Sequence, residues 1–428
     1  VNAVQTAPAP LPQDTQTYGI LFDRRSHLLD IILVAIPFFA MLFNKWLGPL
    51  TPLSVLALTP LYILLRWERL YLVAIRTWPL LLLPIFALIS VVWSDAPDRT
   101  LRYGFLYLMT IIPAIFIGAG CRRDALLKGI FIPFAVYMFL SIPLGSYVGW
   151  GNGGRAFAGL MASKNASGDA SALSILVSMA MLLWAIHRRS MVWIILPLLV
   201  IPCGFFSLWA SKATGSLIAT LVALPCLLLW SFSRQLERSA RTMIFILALL
   251  CVAGLLATIN LWMPPLFEYV LESSGKDADL TGRELLWGKA DELIAARPYL
   301  GGGYAAFWEH DNLDAEYLWR AMGISGRQGF NFHNTPRDIM VDLGIIGLVL
   351  FTVVAAVSII RLFLRTMLDP HYVSILCCAL IMFESPRVYF ELLGYANMNF
   401  ATLIIFVCLA HGLRPSHLPQ TGQISRYG

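Results

Sequence analysis

"GFNFHNTPRDIMVDLGIIGLVLFTVVAAVSII" (Gly329–Ile360) changes character part-way along. It opens as a polar, turn-rich stretch with one histidine, His333, beside Asn334. An apolar run follows, over about residues 339–360, long enough to cross a bilayer as a helix; roughly 20 apolar residues suffice. Thr335 stands where an N-cap would, with Pro336 at the first helical position and Asp338 at the third. The stretch therefore predicts a membrane helix with a polar lip, and it raises the question of what His333 does there.

The rest of the chain repeats the apolar half of this pattern. Of 428 residues, 58% are hydrophobic and only 13% charged, with a mean hydropathy of +0.72. Soluble domains carry about 25% charged residues. The expected fold is an all-α integral membrane protein of about 12 transmembrane helices. The predicted spans lie near 28–47, 50–65, 78–93, 101–120, 126–146, 167–186, 191–209, 214–232, 242–263, 339–360, 371–386 and 395–411. The organisation read from this pattern is a disordered tail over 1–27, helices one to nine over 28–263 and a loop domain over 264–336. Helices ten to twelve follow over 337–411, then a tail over 412–428.

Arginine and lysine orient the bundle, because cytoplasmic connections are enriched in them. One set of connections carries pairs and triplets such as Arg24 and Arg25, Arg122 with Arg123 and Lys128, Arg188 and Arg189, and Arg361 and Arg365. The alternate set is sparser, holding Lys45, Arg99, Arg102, Arg155, Lys164, Lys212 and Arg387. The first set predicts the cytoplasmic side and both termini there, with the long loop on the outer side. The net charge of +6 follows from this bias and calls for no nucleic-acid partner. The seven cysteines lie in or beside predicted spans, which argues against a disulfide framework. No Cys/His spacing suggests a metal site, so no cofactor is expected.

The 264–336 loop is long for a membrane protein connection, and such loops usually carry function. Within it, "DLTGRELLWGKADELIAARPYLGGG" reads as an amphipathic helix. Thr281 and Glu284 form a T-x-x-E capping box, and Leu286, Ala290, Leu293 and Ile294 share one face. Pro298 and the three glycines 301–303 end it. That start places Arg283 in the first turn, where free N–H groups and a guanidinium favour an anion. The plain alternative is that Arg283 pairs with Asp279 or lies exposed. Arg337 sits likewise at the start of the next helix. A third polar segment, "GWGNGGRAFAGLMASKNASG", brings Arg155, Lys164 and Asn165 to the same side. Its plain alternative is a flexible hairpin with basic residues at the headgroups.

Three outer segments thus offer cations and one histidine. Two arginines neutralise a diphosphate and stabilise it as a leaving group. Histidine is the side chain best suited to take a proton from an attacking hydroxyl near neutral pH. From the residues alone, group transfer from a lipid pyrophosphate is one reading, and a transporter of lipid-linked glycan or an inactive scaffold are others. No internal repeat marks a transporter, and the predicted span centres are almost free of charge. Trp287, Tyr304 and Trp308 are candidates for sugar stacking, against the plainer reading that they are core or interface anchors.

The chain resembles the bacterial O-antigen ligase and polysaccharide polymerase superfamily. The matching pieces are "VWSDAPDRTLRY", "GRAFAGLMASKNASG", "LTGRELLW", "RPYLGGGY", "FHN" and "DLGIIG", in that order over about residues 90–350. The resemblance implies a fold like the type C membrane glycosyltransferases. It also implies metal-independent transfer from an undecaprenyl-pyrophosphate-linked oligosaccharide, among membrane lipids, with inversion at the anomeric carbon. Arg155 and Arg283 match the residues taken to hold the pyrophosphate, with Lys164 adding charge; His333 matches the residue that activates or positions the acceptor hydroxyl. Asn165, Asn334 and Arg337 are candidates for orienting donor or acceptor. The acceptor is a second glycan in a polymerase, a lipid A core in a ligase, or a serine in a protein O-oligosaccharyltransferase. "SKN" is closest to the "HKN" of rhizobial-type exopolysaccharide polymerases, with Ser163 where that branch has histidine. That favours the polymerase, for which a chain-length regulator is a candidate partner.

Overall fold

A computed structural model describes residues 13–150, 153–258, 277–327 and 330–415. Six α-helices lead to the hairpin: α1 (Gln13–Leu42), α2 (Asn44–Leu47), α3 (Leu50–Thr77), α4 (Leu82–Ile89), α5 (Pro97–Ile115) and α6 (Arg123–Leu144). The hairpin is β1 (Ser146–Trp150) paired antiparallel with β2 (Gly154–Gly159). Next come α7 (Lys164–Arg188), α8 (Met191–Ala210), α9 (Thr214–Ser233) and α10 (Arg238–Ala257). The loop region contributes α11 (Asp277–Ala296) and α12 (Leu313–Ala321). The chain closes with α13 (Thr335–Leu368), α14 (Tyr372–Glu384) and α15 (Phe400–Leu413).

The chain is an all-α integral membrane protein. Among the described residues nine helical stretches are long and apolar enough to cross a membrane, and two shorter apolar helices, His27–Leu42 and Phe400–Leu413, accompany them. Part of the predicted 242–263 span lies outside the described residues. Helices carry the fold because each satisfies its own backbone groups where no water can. Serines and threonines inside them bond back to the preceding turn, as Ser171 does to the Ser167 carbonyl and Ser174 to that of Ala170. Helix α7 is rich in small residues and packs closely on α8 and α9: a Cβ on Gly168 would stand 2.3 Å from that of Ala213.

Two of the helices are interrupted. α3 kinks at Arg66 (φ −134°, ψ 22°), where the guanidinium turns to grip Asp30 of α1 at 2.9 and 3.0 Å. α13 breaks at Gly344 (φ 63°, ψ −165°), a conformation open essentially to glycine alone. The Arg297–Gly303 turn seats in that break. The Gly302 and Gly303 amides donate to the carbonyls of Val341 and Asp342, both at 2.8 Å, and the Ile345 amide donates to the Pro298 carbonyl at 2.8 Å. From the other side, Asp95 grips Arg297 with both oxygens at 2.7 Å. Trp93 donates to the Leu300 carbonyl, and Arg99 reaches the Ala305 carbonyl and Glu309. Three of the resemblance-bearing motifs, "VWSDAPDRTLRY", "RPYLGGGY" and "DLGIIG", therefore form one clasp that fixes the loop layer to the bundle.

The loop layer has its own core. Leu286 and Ala290 of α11 meet Phe307, Trp308, Ala315, Leu318, Trp319, Phe332 and Val341, with Leu293 and Ile294 partly buried against them. The predicted apolar face of α11 is the face that packs. The predicted start is not: the helix begins by Asp277, so Thr281 lies inside it and does not head it. The start was missed because a local capping pattern competes poorly with the tertiary packing that extends a helix.

Candidate functional site

His333 stands on the polar lip between the loop core and α13. Its backbone is left-handed (φ 52°), which is costly for a residue with a side chain, on the order of 1 kcal/mol or more. Its neighbours hold it there. The Asn331 side chain accepts from the His333 amide at 2.8 Å, and Asp338 accepts from the Phe332 amide at 3.1 Å. Asn334, not Thr335, caps α13, its side-chain oxygen accepting from the Arg337 amide at 3.0 Å. Pro336 and Asp338 accordingly sit one position deeper in the helix than the sequence suggested. Thr335 is freed from capping and instead donates to the Glu391 carbonyl while accepting from the Leu393 amide, both at 2.8 Å. Asn334 also donates to the Tyr389 carbonyl at 3.1 Å.

The lip is thereby stitched to residues 385–395, the turn after α14, which sequence reading did not single out. Glu391 lies in that turn, its Oε2 3.6 Å from His333 Nδ1. That distance is an electrostatic contact, longer than a hydrogen bond. Burial pushes the Glu391 carboxyl up, but His333, Arg387 and Arg283 outweigh it and hold the carboxyl below its ordinary value. Arg283, half-buried and seven residues into α11, has its guanidinium 5.8 Å from the Phe390 ring. Its guanidinium thus lies beyond the first turn of α11, not within that turn as the sequence predicts.

Arg387 ties this turn to α7. It reaches Asp169 at 2.5 Å and Glu384 at 2.6 Å, and Ser216 of α9 donates to the same Asp169 oxygen. Arg387 is 5% exposed and Glu384 3%. Asp169 lies one turn after Asn165, on the same face of α7, and Lys164 opens that helix, half-buried. The only sequence signal for this cluster was an arginine on the side poor in positive charge; its acidic partners lie within predicted spans and are far apart in the chain.

The structure brings His333, Asn334 and Arg283 together around Phe390 and Glu391, while Lys164 and Asn165 begin α7, the helix whose Asp169 is held by Arg387. Arg155 stands exposed on β2 opposite Gly149, with no ion pair among the described residues. Arg337 is bound to Asp291 of α11 at 2.8 and 3.1 Å and lies over Trp287, so it braces α11 against α13. Of the aromatic candidates, Tyr304 is buried in the main core and Trp308 in the loop core; Trp287 donates to the Phe332 carbonyl. All three serve as packing residues here.

Residues 203–352 match the family model described as Wzy_C, O-Antigen ligase. This part of the chain is similar to that family. The matched stretch runs from the middle of α8 past the α13 break and includes Arg283, His333 and Arg337. Arg155, Lys164, Arg387 and Glu391 lie outside it. The chain is also 30% identical over 271 residues to the exopolysaccharide production protein ExoQ of Rhizobium meliloti (strain 1021), an alignment covering 63% of this chain. The match spans 61% of that relative's length. Both findings support the assignment to the O-antigen ligase and polysaccharide polymerase superfamily that the motifs suggested.

Proposed function

We propose that the chain is a membrane glycosyltransferase that moves a glycan from an undecaprenyl-pyrophosphate carrier to an acceptor hydroxyl at the periplasmic face of the inner membrane. The observation that carries this reading is the pairing of His333 with Glu391 beside Arg283 on a lip fixed to the outer end of a broken span. Glu391 faces Nδ1 of His333, which leaves Nε2 to receive a proton. The acceptor oxygen attacks the anomeric carbon as His333 takes its proton. The bond from that carbon to the diphosphate oxygen breaks, and the diphosphate leaves with its charge on Arg283, Arg155 and Lys164. Attack opposite the leaving group inverts configuration. Asn165, on the face of α7 that carries Asp169, and Asn334, through the turn it caps, orient the reactants.

The likeness to ExoQ and the "SKN" segment favour polymerisation of repeat units. The description of the matched domain keeps ligation to a lipid A core as the second reading. The test is a reaction in nanodiscs with one undecaprenyl-pyrophosphate-linked repeat unit. A ladder of longer lipid-linked products supports the polymerase; transfer only after lipid A core is added supports the ligase. His333→Ala should abolish transfer while the protein still inserts and binds donor. Near-normal turnover by that variant removes His333 from the mechanism.

A further inference from the structure

At the far end of α13, a span's length from His333 and on the order of 45 Å away, arginines from four elements converge. Arg123 begins α6, Arg361 and Arg365 lie near the end of α13, and Arg414 follows α15. The charges of Arg76 from α3, Arg123 and Arg361 all act on Arg365, and those of Arg123 and Arg365 act on Arg414. Scattered positive charge is ordinary on a membrane face; convergence of five guanidiniums is not, because each repels the others.

Their partners do little to neutralise them. Arg414 donates to the Cys121 carbonyl at 2.6 Å, and Arg365 donates to the Arg414 carbonyl. Carbonyls fix the guanidiniums in place and leave the charge. Among the described residues one carboxylate joins the group, Asp369, which reaches Arg123 at 2.5 Å and is itself exposed. The neighbouring Asp30 is gripped by Arg66. Burial and the charges of Arg123 and Arg365 push the Arg414 guanidinium down to about 10, as expected of a cation short of anions. Ile75, Leu364 and Leu368, beside Arg76 and Arg365 in the chain, are exposed apolar side chains. A ligand that suits this place has a phosphate-sized anion joined to apolar chains.

We infer that this cluster is a binding site for the phosphate of an anionic phospholipid headgroup, which joins the ends of α3, α6, α13 and α15. Basic pockets between membrane helices take such headgroups, with each basic residue contributing on the order of a fivefold change in affinity. The site is independent of the glycosyl-transfer reading, since its test needs no turnover. The full chain in detergent is melted with added phosphatidylglycerol, phosphatidylcholine or inorganic phosphate, and bound lipid is counted by native mass spectrometry. Phosphatidylglycerol should raise Tm and remain bound, and phosphatidylcholine should do neither. A double variant, Arg76→Gln with Arg361→Gln, removes two exposed charges and should need about thirtyfold more phosphatidylglycerol for the same shift. Arg76→Lys with Arg361→Lys should keep most of the effect. An equal shift from inorganic phosphate alone would overturn the lipid source and assign a soluble phosphate. Equal stabilisation by both lipids, or an unchanged double variant, would overturn the site.

Discussion

Replacing Glu391 by glutamine tests the role given to the carboxylate beside His333. Glutamine keeps the shape and removes the charge. At the observed 3.6 Å, two unit charges interact by about 1 kcal/mol in water and about 4–5 kcal/mol at an effective dielectric near 20. Both side chains are partly exposed, 29% and 24%, so a value between these limits applies, ~1–3 kcal/mol. The imidazolium that forms as His333 accepts the proton loses that stabilisation, and kcat should fall roughly 5–150-fold. KM for the lipid-linked donor should change little, because Glu391 makes no contact with the diphosphate in this reading. Glu391→Asp should recover part of the rate. The assay is initial-rate ladder formation in nanodiscs, with donor varied at fixed enzyme. A rise in KM with kcat intact would refute the reasoning and make Glu391 a donor-site residue. Stability offers a second readout. The carboxyl is held below its ordinary 4.5, so its contribution is present above that value and is lost as pH falls through the depressed one. Wild type should therefore lose more Tm than Glu391→Gln as pH drops below about 4.5.

Two further predictions concern the scaffold. Gly344→Ala places a Cβ 2.2 Å from the Tyr299 carbonyl carbon at a φ/ψ combination that side chains avoid; it should destabilise the protein by at least ~2 kcal/mol. A melt in detergent that matches wild type would show that the clasp is not rigid. Arg387→Ala strands Asp169 and Glu384 in the interior and should cost about 3–5 kcal/mol, read as a large fall in Tm or in recovered folded protein. An unchanged melting curve would mean the two carboxyls share a proton without help from the arginine.

The sequence by itself determined the class of this molecule. Apolar runs of bilayer length, and the small number of charges, leave an all-α membrane bundle as the solution, since backbone groups in lipid must bond within their own segment. Local patterns also placed the polar lip at 329–338, the apolar face of α11 and the Pro298–Gly303 stop, because each depends on neighbours within a few residues. They misplaced the α11 start and set the α13 cap one residue late, where more than one nearby side chain suits the position. What only the tertiary structure decided are the long-range pairings. Glu391 meets His333 across 58 residues, Arg387 meets Asp169 across 218, and Asp95 meets Arg297 across 202. No local periodicity records which distant carboxylate a buried arginine will find. The break at Gly344 belongs with these: to the sequence it is one glycine in an apolar run, and only the seated Pro298–Gly303 turn requires the helix to part there.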